Sequence, residues 1–218
     1  MKRLAVFDCD GTLIDSQISI CLAMERAFAR SGIVAPPRAS IRRIVGLSLV
    51  EAVAELLPEA TPERHAHVAA DYKRAFWELR DDGLIDEPLF DGIVDLLDTL
   101  RDDGWLLGVA TGKSDRGLAL ALDHHGLSGH FVTLQTADRH PSKPHPSMVV
   151  TAMGEAGTDP ANTVVIGDTS FDIAMALNAG TRAVGVAWGY HDTVDLVRAG
   201  AHAIARRPVD LVELLEAT

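Results

Sequence analysis

The sequence is short of the features that mark several protein classes. It has only two cysteines in 218 residues, Cys9 and Cys21, too few for a disulfide framework or a thiolate zinc site. Aromatic residues make up 5%, and the scattered Trp77, Trp105 and Trp188 suit packing better than a stacking platform. No apolar run approaches the roughly 20 residues that span a bilayer. The first run ends at Phe7 with acids directly behind it, too short for a secretory leader, so a cytoplasmic setting is expected. Basic residues are the scarcer charge, 20 against 31 acidic ones, for a formal charge of -11. That field repels nucleic acid and anionic membranes, so neither is an expected partner. Nine histidines are present, but His65/His67 and His124/His125 lack the i, i+4 spacing of a helical metal pair. If the ligand is an anion, a bound cation or local basic groups must reverse the field where it sits.

What is present reads as a globular α/β chain. Hydrophobic residues make up 47% and charged residues 23%, ordinary for a folded protein. The length suggests one domain, or one with an insertion. Short apolar runs rich in branched residues occur at Leu4–Phe7, Leu106–Ala110, Phe131–Gln135, Thr163–Ile166, Ala183–Ala187 and Ala201–Ala205. Helical patterns separate the later ones. Continuous apolar runs alternating with helices predict a doubly wound, parallel, Rossmann-like sheet. Some ninety residues part the first two runs, and only Phe90–Asp103 reads as the expected crossover helix. The rest, punctuated by Pro36-Pro37 and Pro58, carries helical periods and no strand. This predicts a four-helix cap domain over 16–87, inserted into a core made of 1–15 and 88–218.

Open parallel sheets bind ligands beyond the carboxyl ends of their strands. Reading there gives Asp8, Asp10, Gly11 and Thr12 after the first run, and Thr111, Gly112, Lys113 and Ser114 after the second. Lys143-Pro144 follows the third, and Asp168 with Asp172 the fourth. Carboxylates gathered this way repel one another unless a cation holds them. A hard divalent ion such as Mg²⁺ suits oxygen ligands of this kind. Thr111, the Gly112 amide and Lys143 offer what a phosphate needs: donors, a helix start and positive charge. A carboxylate beside a polarised phosphoryl group could then act as a nucleophile. Each residue also has a plain structural reading: turn acids before Gly11, a helix cap at Thr111, a solvated loop lysine, a cap at Asp168 and a first-turn acid at Asp172. Asp15 and Ser16 read as helix caps, His140 and His145 as loop surface, and Cys9 as a small core residue. The joint occurrence at successive strand ends favours the chemical reading.

The segments FDCDGTLIDS, ATGKS, KPHP and GDTSFDIAMALNAG resemble, in order, the four motifs of the haloacid dehalogenase-like superfamily. The helical insertion is similar to that of its subclass I phosphatases, phosphoglycolate phosphatase-like enzymes among them. The resemblance implies a Mg²⁺-dependent phosphatase acting on a small phosphorylated metabolite through an aspartyl-phosphate. Asp8 would be nucleophile and metal ligand. Asp10 would be the general acid/base, its carbonyl on the metal. Thr111 and Gly112 would bind phosphate, and Lys143 would neutralise it. Asp168 would ligate the metal, and Asp172 would orient Lys143 or a metal-bound water. The cap would close over the site, with Arg43 and Gly46 as possible substrate contacts and phosphoglycolate as the nearest substrate guess. Asp10 argues against the dehalogenase branch, and a lone cap lysine, Lys73, against the phosphonate-cleaving branch. A phosphosugar mutase stays open as the alternative, because Arg43-Ile44-Val45-Gly46 is similar to that branch's substrate loop. A receiver-type phosphoacceptor and a non-catalytic binding protein rank below it. Gly112 stands where many relatives have Asn or Ser. A monomer or weak homodimer is expected.

Overall fold

In a computed structural model, which describes residues 2–216, the first apolar run forms β1 (Arg3–Phe7). It is followed by α1 (Gln17–Arg30), α2 (Arg38–Arg43), α3 (Leu49–Leu56), α4 (Pro62–Asp81) and α5 (Ile93–Asp102). The remainder alternates: β2 (Trp105–Thr111), α6 (Asp115–His124), β3 (Thr133–Thr136), α7 (Ser147–Ala156), β4 (Thr163–Gly167), α8 (Ser170–Asn178), β5 (Arg182–Val186), α9 (Thr193–Arg198), β6 (Ala203–Ala205) and α10 (Asp210–Glu216). The strands make one 6-stranded sheet in the order β3-β2-β1-β4-β5-β6, and every neighbouring pair is parallel.

Side chains alternate across each strand, so β1 feeds both faces. Ala5 and Phe7 pack with Leu97, Leu107, Val109 and Ile166. Leu4 and Val6 pack with Met148, Val149, Val165 and Ile173. Burial on both faces explains why the runs are apolar throughout rather than alternating.

The helices between β1 and α5 bury a third set of side chains among themselves, including Met24, Phe28, Ile41, Val53 and Val68. α4 starts as its sequence dictates: Pro62 occupies the first turn and the Thr61 hydroxyl accepts from the Arg64 amide, relieving one of the unpaired N–H groups there. Where this helical segment leaves and rejoins the sheet, Ile14 bridges Leu89 and the Asp15 amide donates to the Pro88 carbonyl at 2.8 Å.

Two strands start later than their apolar runs. β3 begins at Thr133, not Phe131, because the ladder with β2 opens at Gly108↔Thr133. β6 begins at Ala203, not Ala201. Gly200, at φ +99, ends α9, and the Ala201 amide turns back to the Leu196 carbonyl, a helix-terminating bond that keeps Ala201 out of the sheet.

Candidate active site

The strand order reverses between β1 and β4, and a parallel sheet opens a crevice where that happens. Asp8 follows β1 and Asp168 follows β4, so the reversal brings together two acids far apart in sequence. The close approach needs Gly11, which sits at φ +91 and whose missing Cβ would lie 2.2 Å from an Asp168 carboxylate oxygen.

Lys143 lies between acids. Its ammonium donates to Asp8 Oδ1 at 2.7 Å and to Asp172 Oδ1 at 2.6 Å, and its side chain is 0% exposed. The second oxygen of Asp172 accepts from the Thr169 amide and hydroxyl at 3.0 and 2.7 Å, forming a capping box at the start of α8. Both Asp172 oxygens are thus engaged, one by Lys143 and the other by Thr169. Asp168 accepts from the Thr12 hydroxyl at 3.0 Å and the Tyr190 amide at 2.8 Å. Asp8 Oδ2 is buried and has no hydrogen-bond partner among the described residues.

Burial pushes the Asp8 carboxyl up to about 7, with Lys143 opposing and Asp172 adding to the rise. Asp168 is raised well above the ordinary carboxylate range by burial, then by Asp8 and Asp172. Burial alone would lower Lys143, but Asp172 and Asp8 hold it above its usual value. One ammonium does not balance these acids. Asp8, Asp168 and Asp172 each offer an oxygen within 4.8 Å of the others, so an oxygen-seeking divalent cation fits the donor set. The orphaned Asp8 oxygen supplies a ligand with no competing bond.

Asp10 is held by two donors on the same oxygen: the Ser16 hydroxyl and the Lys113 ammonium, the latter at 2.9 Å. Lys113 also reaches Glu87 at 3.0 Å, and Glu87 receives Arg80 at 2.7 Å. Burial opposes ionisation of both groups. Asp10 and Glu87 nonetheless raise Lys113 well above its usual value, and Lys113 with Arg80 lowers Glu87. Thr111 is buried and accepts from the Lys113 amide at 3.2 Å. It is not the helix cap, since Ser114 caps α6 by accepting from the Gly117 amide.

Asp8, Asp10, Thr111 and Lys113 line one end of a cavity of about 520 Å³ between the sheet and the inserted helices. Gly112 lies on its wall where the insertion comes down. A Cβ there would stand 2.5 Å from the Leu47 carbonyl oxygen and 3.0 Å from that of Gly46. Gly46, at φ +101, turns its loop so that backbone faces the sheet. Arg43 lies outside the cavity. Its exposed guanidinium pairs with Asp195 at 3.1 Å, because α2 directs it towards α9.

The sequence places Lys113 at a strand end without assigning it a role, and it does not single out Glu87, Ser16 or Tyr190 as members of this site. Lys113 was visible, one residue beyond the paired Thr111-Gly112. Ser16 looked like an ordinary cap, but it makes no side-chain cap bond and serves Asp10 instead. Tyr190 follows β5, and continuing the strand-end reading by one strand would have reached it. Its hydroxyl accepts from the Ser16 amide at 3.0 Å, and nearby the Trp188 indole donates to the Thr12 carbonyl. Glu87 had no local signal.

Residues 5–186 match a family model described as haloacid dehalogenase-like hydrolase. The chain is 36% identical to probable phosphatase IndB of Dickeya dadantii, over 94% of this chain and 89% of that protein. It is 27% identical to a phosphoglycolate phosphatase of Aquifex aeolicus, over 98% and 97%. A crystal structure described as a predicted phosphatase from Clostridium acetobutylicum superposes with a TM-score of 0.89 at 26% identity, covering 100% of both chains.

Proposed function

The chain belongs to the haloacid dehalogenase-like hydrolase family, and from that membership we propose a Mg²⁺-dependent phosphatase that hydrolyses a small phosphomonoester through an aspartyl-phosphate on Asp8. The observation that carries the reading is the buried Asp8 carboxylate, with one oxygen fixed by Lys143 and the other without a partner among the described residues.

Mg²⁺ would be held by Asp8, the Asp10 carbonyl and Asp168, and when bound it draws charge from the phosphoryl oxygens. Thr111 and the Gly112 amide, at the end of β2, hold the phosphoryl group beside Asp8. Lys143 neutralises charge there and fixes the attacking carboxylate in place, a positioning effect that removes much of the entropic barrier. An Asp8 oxygen forms a bond to phosphorus as the bond to the leaving oxygen breaks. Asp10 supplies that oxygen with a proton. Ser16 and Lys113 both occupy Asp10 Oδ1, so Oδ2 is the oxygen that carries it. Asp10 then takes a proton from water, the water oxygen bonds to phosphorus, and the bond to Asp8 breaks, releasing phosphate. The helices over 16–87 act as the cap that keeps bulk water from the acyl phosphate.

Asp8→Asn tests this reading. It should abolish phosphate release with Mg²⁺ while leaving the circular dichroism spectrum unchanged. Acid-quenched wild-type enzyme should carry a phosphoryl adduct on the peptide containing Asp8. Full turnover by the variant would end the assignment.

A further inference from the structure

The part of the cavity beyond the phosphoryl groups is built for something other than a second charge. Tyr72, Phe76 and Trp77 on α4 line it, joined by Met24 from α1, Leu49 from α3 and Leu120 from α6. Tyr72 and Phe76 lie with ring centroids 5.9 Å apart. This wall is apolar and ring-rich, the surface that recognises carbon skeletons by area and shape.

The two more buried cations on the wall, Lys113 and Arg80, are committed. Lys113 is held by Asp10 and Glu87, and Arg80 by Glu87, while the Arg80 guanidinium also lies over the Phe76 ring at 5.6 Å. Lys73 is the remaining lysine, and it is exposed. Two acids, Glu51 and Asp138, stand exposed on the same wall. A carboxylate or second phosphate at the far end of a substrate would lie against apolar side chains, with Lys113 and Arg80 already paired and only the exposed Lys73 and Arg116 at the rim, so its lost hydration would be poorly repaid. A two-carbon acid ester would also leave most of the 520 Å³ unfilled.

We propose that the alcohol released by this enzyme is uncharged and largely apolar, with a ring or branched carbon chain, rather than a short hydroxy acid or a polyol. The inference rests on the phosphatase reading and names the substrate class of that site. The phosphate end is recognised by the sheet, and the rest by the apolar faces of α1, α3 and α4.

The test compares kcat/KM for phenethyl phosphate, ethyl phosphate and phosphoglycolate with Mg²⁺. All three are primary alkyl esters, so leaving-group ability differs little and the comparison reports binding of the far end. Phenethyl phosphate should exceed both others by about tenfold or more. Trp77→Ala should shrink that ratio, and so should Leu120→Asn at an exposed position where folding is not at stake. Equal or better turnover of phosphoglycolate or ethyl phosphate overturns the proposal and leaves the phosphatase assignment standing. Calorimetry with the non-hydrolysable phenylpropyl and propyl phosphonates separates the two claims. Tighter binding of the phenylpropyl compound with no turnover of any ester would sink the phosphatase reading and keep the preference. Equal binding of the two phosphonates overturns the proposal whatever the kinetics.

Discussion

Gly112→Ala is the sharpest probe of how the cap meets the core. The Gly112 φ lies outside the left-handed region, so alanine strains no backbone there, and the amide proposed to meet the phosphoryl group is kept. The added methyl would stand 2.5 Å from the Leu47 carbonyl oxygen and 3.1 Å from its carbon, where ordinary contact begins at 3.4 Å. The shortfall is nearly 1 Å. Every obstructing atom is backbone, so no rotamer change relieves it. Overpacking of this kind costs about 1–3 kcal/mol. The insertion is joined to the sheet by two connections bridged at Ile14 and Leu89, whereas the core beneath Gly112 is packed on both faces, so the cap yields first. The closed state then loses population, and kcat/KM falls about 5- to 150-fold. The sheet is untouched, so Tm moves by less than about 2 °C. Steady-state phosphate release and calorimetry on the same preparation give both numbers. Gly129→Ala, with nothing within 4 Å of the added carbon, is the control and should match wild type. Wild-type kcat/KM in Gly112→Ala would refute the close approach of the 46–47 loop as the closed, working geometry.

Three further outcomes follow from the same structure. Lys143→Ala leaves Asp8 and Asp172 buried without their shared cation; urea denaturation in Mg²⁺-free buffer should show a loss of about 3–5 kcal/mol, and an unchanged midpoint would contradict the bridging role. Mg²⁺ should raise Tm as well as activity, by up to about 2.7 kcal/mol of stability at a hundredfold excess over its Kd. Asp168→Asn should abolish that shift in differential scanning fluorimetry, and an intact shift would remove Asp168 from the ligand set. Glu87 is held below its ordinary value of 4.5 in the fold, so the folded state binds fewer protons there than the unfolded one. Its contribution is full at neutral pH and is lost as pH drops from about 4.5 through the depressed folded value. Glu87→Gln should therefore cost roughly 2 kcal/mol at pH 7, with the gap to wild type closing in acid; a pH-independent gap would exclude the charge effect.

The sequence alone determined the sheet, its parallel sense and the residues that end its strands. Those depend on local patterns: branched apolar runs buried on two faces, and acids, Thr and Lys placed where each run stops. It also marked the helical insertion, because four helical periods cannot be threaded as strands. Only the tertiary structure decided which atoms meet. That Lys143 spans Asp8 and Asp172 depends on the β1–β4 adjacency, which no local window contains. The Lys113–Glu87–Arg80 chain joins residues from a strand end, a connection and a cap helix, so its members look like ordinary surface charges until the fold closes around them. Arg43 and Gly46 are three residues apart, yet Arg43, at the end of α2, faces solvent beside α9 while Gly46, in the turn beyond that helix, lines the cavity. Gly112 carries the same lesson: a missing side chain gains meaning only when another segment's backbone arrives within 3 Å of where that side chain would stand.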